Sequence, residues 1–233
     1  MEGDRGDGET GPLPELEGRR DRQPQVGPSH HSGRRWAVKV VPATLEGRVV
    51  RLEPLTLDHV PGLWEAGSDP AIWRLGLEPV QSAEEMRDYV AHALRAQEQG
   101  AALPFATVLR SEGRVVGSTR FGNIDAVNRH VEIGWTWIGP RWQRTAVNTE
   151  AKLLMLRHAF EDWKCLRVEL KTDVLNERSR AAILRLGAKE EGVFRKHAIA
   201  PTGRVRDSIF YSIIDEEWPS VRARLEGILA AGP

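Results

Sequence analysis

The stretch of chain with the clearest chemical content joins a predicted strand to a predicted helix. Residues 130–138 (HVEIGWTWI) alternate as a strand does, and a Gly-Pro dipeptide ends the pattern before a helix over residues 149–163. The polar turn 143–148 opens that helix. Because the first helical turn has free backbone N–H groups and a partial positive charge, it suits a pyrophosphate, with Arg141 and Arg144 adding charge. The spacing equally fits a plain loop-to-helix junction with solvated arginines.

The elements around this junction predict an α/β fold of the α+β kind, built on one sheet of about seven strands. Alternation over residues 47–55 predicts the first strand, a helix capped by Thr56 follows, and Ser82 begins a capping box for the next helix. A meander of three strands precedes the junction helix, and the strand after that helix favours a mixed sheet. The later predicted elements are strands 103–109, 114–124, 130–138, 166–172, 188–199 and 204–214, and helices 82–99, 149–163, 176–186 and 215–231.

Composition excludes several functional classes. The 233 residues carry 33 basic and 33 acidic side chains, so zero net charge gives no general attraction to nucleic acid or an acidic membrane. We expect no transmembrane helix, since no apolar run reaches about 18 residues, and no secretory signal, so we expect a cytoplasmic protein. The single cysteine, Cys165, excludes an intrachain disulfide framework and a multi-cysteine zinc site, and its setting predicts a small buried side chain. We expect no metal.

The chain divides into a tail and one domain. Residues 1–38 are rich in Gly and Pro, with alternating charges and few large apolar residues, which predicts a disordered N-terminal tail. We expect the folded domain over residues 44–217 and a C-terminal helix, 215–231, packed on the same domain.

Together, the order of elements and the junction resemble the GNAT superfamily of acetyl-CoA-dependent N-acetyltransferases, over roughly residues 44–217. The family's phosphate-binding signature, Gln/Arg-x-x-Gly-x-Gly/Ala, corresponds to residues 143–148 (QRTAVN). The chain looks most similar to the RimJ/RimL-type subgroup, which acetylates protein N-terminal amines, through its RVVRLEPL start, its EIGW strand and its NERSRAAILRLGA helix. The resemblance implies a GNAT-like mixed, mostly antiparallel twisted sheet flanked by helices.

The resemblance also implies roles for particular residues. Glu132 matches the strand that lines the substrate side, where an acidic residue often serves as general base, and Ser179 would act as general acid on the departing thiolate. The alternative for Glu132 is a sheet-edge glutamate paired with an arginine. The alternative for Ser179 is a hydroxyl on a helix surface. The implied acetyl-CoA contacts are Trp137, Ile138, Gln143, Arg144, Thr145, Ala146, Asn148, Thr149 and Asn176. Asn176 would bond the pantetheine arm, or else act as a plain N-cap, and Trp137 also fits a plain core position.

Three positions depart from the family pattern. Ala146 and Asn148 stand where the signature has glycine, which allows close approach of the backbone to the pyrophosphate. Ile183 stands where many members have a tyrosine that protonates the thiolate. These departures leave a second hypothesis open, a catalytically silent CoA- or ligand-binding module.

The resemblance therefore predicts transfer of an acetyl group from acetyl-CoA to a primary amine. An α-amino group has a pKa of about 7.7–8.0 and a lysine side chain one of about 10.4, so a site with one carboxylate and one hydroxyl suits a protein N-terminal α-amine or a small-molecule amine. We expect no nucleic-acid or membrane partner. The oligomeric state, a homodimer included, is left open.

Overall fold

The computed structural model describes residues 40–76, 79–200 and 202–232, so the predicted tail, residues 1–38, lies outside the described residues. Within them the chain forms one eight-stranded sheet and five α-helices. The strands are β1 (Leu45–Glu46), β2 (Val50–Pro54), β3 (Ala102–Leu109), β4 (Arg114–Asp125), β5 (His130–Ile138), β6 (Arg167–Asp173), β7 (Lys189–Ile199) and β8 (Val205–Ile214). The helices are α1 (Val60–Gly67), α2 (Ala83–Glu98), α3 (Ala146–Arg157), α4 (Glu177–Leu186) and α5 (Trp218–Ala231).

The sheet is mixed and mostly antiparallel, as the sequence predicts. Its strand order is β1-β2-β3-β4-β5-β6-β8-β7, and β5 and β6 form its parallel pair. The α3 crossover connects these two strands, which is the connection a parallel pair needs. The eighth strand, β1, is two residues long and therefore too short to leave a period-two pattern in the sequence.

The predicted caps are largely present. Ser82 accepts a hydrogen bond from the Glu85 backbone N–H at 3.1 Å, and Asn176 caps α4. Gly187 ends α4 with a φ of 102°, in the left-handed region that favours glycine. Thr56 precedes a short 3-10 turn, and α1 begins only after it, at residue 60.

Two predicted helices had wrong boundaries. Helix α3 begins at Ala146, three residues before the predicted start, because Thr145 caps it. It ends at Arg157, and a π-helical turn, His158–Asp162, follows it. The predicted single helix therefore consists of an α-helix and a π turn. Helix α5 begins at Trp218, after a 3-10 turn.

Side chains pack into two hydrophobic clusters on opposite faces of the sheet. The neighbouring residues Trp137 and Ile138 belong to different clusters, as successive strand residues must. Helices α1 and α2 cover the Trp137 face, whereas α3, α4 and α5 cover the Ile138 face. Cys165 is buried in the cluster on the Ile138 face, as predicted, and burial raises the pKa of its thiol to about 11. None of the helices in the described part of the chain has the length and apolarity needed to cross a membrane.

Helix α3 is buried over most of its surface, as its apolar sequence predicts, yet it includes the buried carboxylate of Glu150. That carboxylate accepts hydrogen bonds from the backbone N–H groups of Arg48 at 2.8 Å, Val49 at 2.7 Å and Val50 at 2.7 Å. These amides lie in the turn between β1 and β2 and at the start of β2. A Cβ at Gly47 would overlap the Glu150 side chain, so a larger residue there would displace the carboxylate from these amides. Glu150 therefore fixes the first hairpin to the central helix.

We predict that Glu150→Gln lowers the free energy of unfolding by about 2–3 kcal/mol, since hydrogen bonds to a charged group are worth about 1.5–3 kcal/mol and the new amide N–H₂ would face backbone donors. Urea denaturation followed by circular dichroism measures this loss. The control is Glu98→Gln, at an exposed position at the end of α2, which should leave the midpoint unchanged. Equal midpoints for the two variants would contradict the structural role of Glu150.

Candidate functional site

A cleft opens where strands β5 and β6 separate. Their parallel pairing covers three residue pairs and ends at Glu132 with Glu169. Strand β5 then runs on to Ile138 paired with β4, while β6 runs on to Asp173 paired with β8. The facing edges of the two strands therefore have backbone N–H and C=O groups that the sheet does not use, and such groups need partners. An extended, amide-containing ligand can supply them.

A bulge in β5 lies beside this cleft. The register with β4 shifts between Ser118 and Arg120, and Trp135 has a φ of 50°. An extra residue in one strand turns the following side chains to new directions. Here it places the Thr136 side chain beside α3, where its hydroxyl lies 2.7 Å from the hydroxyl of Thr119 on β4.

The N-terminus of α3 lies close after the end of β5, and side-chain hydrogen bonds fix the junction. Gln143 Nε2 donates to the Ile138 carbonyl at 2.8 Å, and Thr145 Oγ1 accepts from the Val147 N–H at 3.3 Å. The left-handed residue of this turn is Arg144, with a φ of 62°, and neither Ala146 nor Asn148 has a positive φ. The two replacements of the signature glycines therefore impose no backbone strain.

Helix α4 is attached to the same junction. Arg178 on its first turn donates to Gln143 Oε1 at 2.7 Å, and Arg185 on its last turn donates to the buried hydroxyl of Thr149 at 3.2 Å. Sequence reasoning missed both arginines, although their spacing of seven residues places them on one face of the helix. Arg141 and Arg144 are exposed on the chain that leads into α3. The residues present at this end of the cleft therefore fit an anionic group.

Asn176 and Ser179 lie at the start of α4, where the chain leaves β6. The Asn176 side-chain oxygen accepts from the Ser179 backbone N–H at 3.0 Å, so the predicted capping role is present. Ser179 is half-buried. Ile183, one turn on, is buried in the hydrophobic cluster, so the position that holds a tyrosine in many family members is occupied by a core side chain.

Glu132 lies in the centre of the sheet and only 3% of it is exposed. Its Oε2 accepts from Asn123 Nδ2 at 2.6 Å and from Lys171 Nζ at 2.8 Å. The alternative of a sheet-edge glutamate paired with an arginine was wrong, because β5 is an inner strand and the partner is a lysine on β6. The Lys171 ammonium also lies 5.7 Å from the ring centroid of Trp135. Glu132 is thus part of a buried cluster in which its charge is paired.

The two tryptophans of β5 differ in their surroundings. Trp137 is buried and packs on Trp73, with ring centroids 5.3 Å apart, so its indole belongs to the core. Trp135 is half-buried, and the guanidinium of Arg120 lies 4.9 Å from its ring centroid. Tyr89 from α2 donates its hydroxyl to the Trp135 carbonyl at 3.4 Å. Helix α2 therefore contacts the bulge from the face opposite to α3.

Sequence reasoning did not single out Lys152, which is buried on α3 beneath the bulge. Its Nζ donates to Thr136 Oγ1 at 2.5 Å and to Thr119 Oγ1 at 3.2 Å. Burial lowers the pKa of this amine to about 7. The sequence did contain a signal for this buried lysine. It lies one residue before Leu153 and four before Leu156, within a helix whose apolar residues already indicate burial on most sides.

Comparisons with known proteins agree on one family. The family model described as an acetyltransferase (GNAT) domain matches residues 50–189. A protein of Bacillus subtilis (strain 168), YdaF, which carries the name of a ribosomal N-acetyltransferase, is 35% identical over 107 residues, which are 46% of this chain and 57% of that protein. The chain thus spans little more than half the length of this curated relative.

Solved structures extend the likeness to nearly the whole described fold. A GCN5-related N-acetyltransferase from Brucella melitensis superposes with a TM-score of 0.77 at 30% identity, covering 83% of this chain and 90% of that one. A protein of T. thermophilus named as an acetyltransferase gives a TM-score of 0.73 at 36% identity, covering 80% of this chain and 97% of that one.

We predict that stability rises with pH above about 7 because of Lys152. With the pKa of the folded amine near 7 and that of the unfolded one near 10.5, the unfolded state binds more protons between these values. Unfolding free energy should therefore increase across this window, by at most about 1.4 kcal/mol per pH unit. Urea denaturation at pH 7, 8 and 9 measures the slope.

Lys152→Met should remove this slope and be the more stable protein at pH 7. Lys164→Met, which changes an exposed lysine, should keep the wild-type slope. Parallel slopes for wild type and Lys152→Met would show that the buried amine does not titrate in this range.

Proposed function

Because this chain belongs to the GNAT acetyltransferase family, we propose that it transfers the acetyl group of acetyl-CoA to a primary amine, either a protein N-terminal α-amine or a small-molecule amine. The observation that carries the proposal is the cleft between β5 and β6, which ends at the N-terminus of α3. An extended amide chain fits the parted strand edges, and an anionic group fits the helix terminus.

The residues at the junction suit a pyrophosphate. The first N–H groups of α3 face the end of the cleft, and Arg141, Arg144 and Arg178 lie around them. Backbone groups of Trp137 and Ile138, on the parted part of β5, are the proposed partners of the pantetheine arm. Asn176 already caps α4 with its side-chain oxygen, which leaves its amide N–H₂ for the same arm.

When bound, acetyl-CoA supplies an activated thioester that a neutral amine attacks directly. The protein then has to orient the amine, remove its proton and assist the departing thiolate. Ser179 is the proposed acid: it is half-buried in the first turn of α4, where the helix dipole also favours a developing negative charge. The family resemblance implies Glu132 as the base, but its carboxylate is already paired with the ammonium of Lys171.

An amine of low basicity is the acceptor that suits this site. A terminal α-amine is partly neutral at pH 7, whereas a lysine side chain needs more than about two further pKa units of help. The ribosomal N-acetyltransferase name of the Bacillus subtilis relative supports an acceptor on a protein. Small-molecule amines of similar pKa remain within the proposal.

We predict that acetyl-CoA stabilises the folded protein by about 2.7 kcal/mol at a hundredfold excess over its dissociation constant, since it binds only the native state. Thermal denaturation with and without ligand measures the effect. Replacing both exposed arginines, Arg141→Ala with Arg144→Ala, should weaken acetyl-CoA binding about tenfold. Binding of S-acetylpantetheine, which has no pyrophosphate, should be unaffected by the same change. No stabilisation by acetyl-CoA at millimolar concentration would refute the proposed function.

We predict that Ser179→Ala lowers turnover by about 10²- to 10⁴-fold, the usual range for a positioned acid, with little change in acetyl-CoA affinity. Single-turnover kinetics with a peptide acceptor measures the chemical step. Ser220→Ala, which removes an exposed hydroxyl on α5, is the control. If Ser179→Ala keeps the wild-type rate when chemistry is limiting, solvent protonates the thiolate.

A further inference from the structure

The base that deprotonates the acceptor can be identified more closely, on the premise that the proposed function holds. An amine enters as an ammonium and must lose one proton before it attacks. Glu132 is poorly placed to take it, because only 3% of the residue is exposed and its Oε2 already accepts from the ammonium of Lys171 and from the amide of Asn123. The described part of the cleft offers another acceptor.

Lys152 lies directly beneath the bulge of β5. Its Nζ is 2.5 Å from Thr136 Oγ1 and 3.2 Å from Thr119 Oγ1, and the two hydroxyl oxygens are 2.7 Å apart. Thr136 is an exposed residue, on the part of β5 that has no β6 partner. Its hydroxyl thus connects a buried amine with the cleft.

The hydrogen-bonding partners of Lys152 match a neutral amine. Among the described residues, Thr119 and Thr136 are its hydrogen-bond partners, and it makes no ion pair within them. An ammonium has three N–H donors and would have one without an acceptor, whereas a neutral amine has two donors and a free lone pair. The Thr119 hydroxyl donates to Met155 Sδ at 3.5 Å, which leaves its oxygen free to accept from Lys152.

Charged groups on the surrounding elements are engaged elsewhere. Glu150 on α3 binds the β1–β2 turn, and Arg185 on α4 binds Thr149. On β4 and β5, Arg120 lies over Trp135, and Glu132 pairs with Lys171. The charged groups of α5 that meet α3 and its π turn pair at the surface: Arg157 with Glu226, and Arg222 with Glu226 and Glu161. Within the described parts of the chain no carboxylate therefore stabilises a positive charge on Lys152, and burial lowers its pKa to about 7.

We propose that Thr136 and Lys152 form a proton relay that deprotonates the acceptor amine. The Thr136 hydroxyl first turns to donate to the lone pair of the neutral Lys152 amine. The acceptor ammonium then gives a proton to Thr136 Oγ1 as the Thr136 hydroxyl proton passes to Lys152 Nζ, which leaves a neutral acceptor amine and a lysine ammonium. The amine forms its bond to the acetyl carbon as the C–S bond breaks, and its second proton goes to the thiolate through Ser179. Lys152 later returns its proton to solvent. Because it acts through Thr136, Lys152 is a positioning residue, and Thr136 is the group that touches the substrate.

The test is the pH dependence of kcat/KM with two acceptor amines that wild type uses and whose pKa values differ by about one unit. We expect the pH profile of kcat/KM to have two limbs. One lies near pH 7 and has the same position for both acceptors, because it reports the pKa of Lys152. The other shifts with the pKa of the acceptor amine. Lys152→Met and Thr136→Val should each lose the fixed limb and about 10²- to 10⁴-fold in kcat/KM at about pH 8. Thr136→Ser, which keeps the hydroxyl, should keep the fixed limb of the pH profile. Glu132→Gln should retain the fixed limb even if its rate falls.

Calorimetric titration with acetyl-CoA shows that each variant is folded and binds, and Lys152→Met is expected to bind with wild-type affinity. A fixed limb that persists in Lys152→Met, or that disappears in Glu132→Gln, would overturn the relay while leaving the acetyltransferase proposal intact. Wild-type protein that binds acetyl-CoA but acetylates no amine would overturn both.

Discussion

The separation of two parallel strands is the constraint on which the other features of the site depend. Strands β5 and β6 are paired for three residues and then diverge, although both continue in the sheet through β4 and β8. A parallel pair requires a crossover, so α3 must begin after β5 ends, and its N-terminus is brought to the mouth of the gap. Helix α4 follows β6 after a short turn and starts at the same place. The N-termini of α3 and α4 and the free edges of β5 and β6 therefore meet at the gap, joined by short connections.

Several charged groups around this gap are buried and paired. Glu132 is held by Lys171 and Asn123, and Asp173, at the end of β6, is held by Arg204 and Arg206. Such clusters add less stability than apolar packing of the same volume would, because charges lose their hydration on burial. The proposed acetyltransferase site would need fixed charges and hydroxyls, so some loss of stability is expected there.

The regular elements were predictable from the sequence, and the irregular ones were not. Period-two alternation located β4 and β5 closely, and the Ser82 and Asn176 caps were found because side-chain caps are local. The β5 bulge and the left-handed Arg144 depend on tertiary packing, and no local signal marks them. The junction residues 143–148 were matched to a phosphate-binding signature only by resemblance, and that match stays a prediction. Lys152, Lys171 and Asn123 were missed because they come from three separate elements that only the fold brings together.

The hydrogen bonds from the first hairpin to Glu150 have a consequence for folding during synthesis. The carboxylate and the amides that it binds are 100–102 residues apart in sequence. At a synthesis rate of about 5–20 residues per second, the nascent β1–β2 segment waits about 5–20 s for its partner to leave the ribosome. During that interval the three amides that Glu150 binds lack their native acceptor, although β3 can already pair with β2. Vectorial synthesis therefore leaves the first hairpin without its contact to the central helix until that helix emerges.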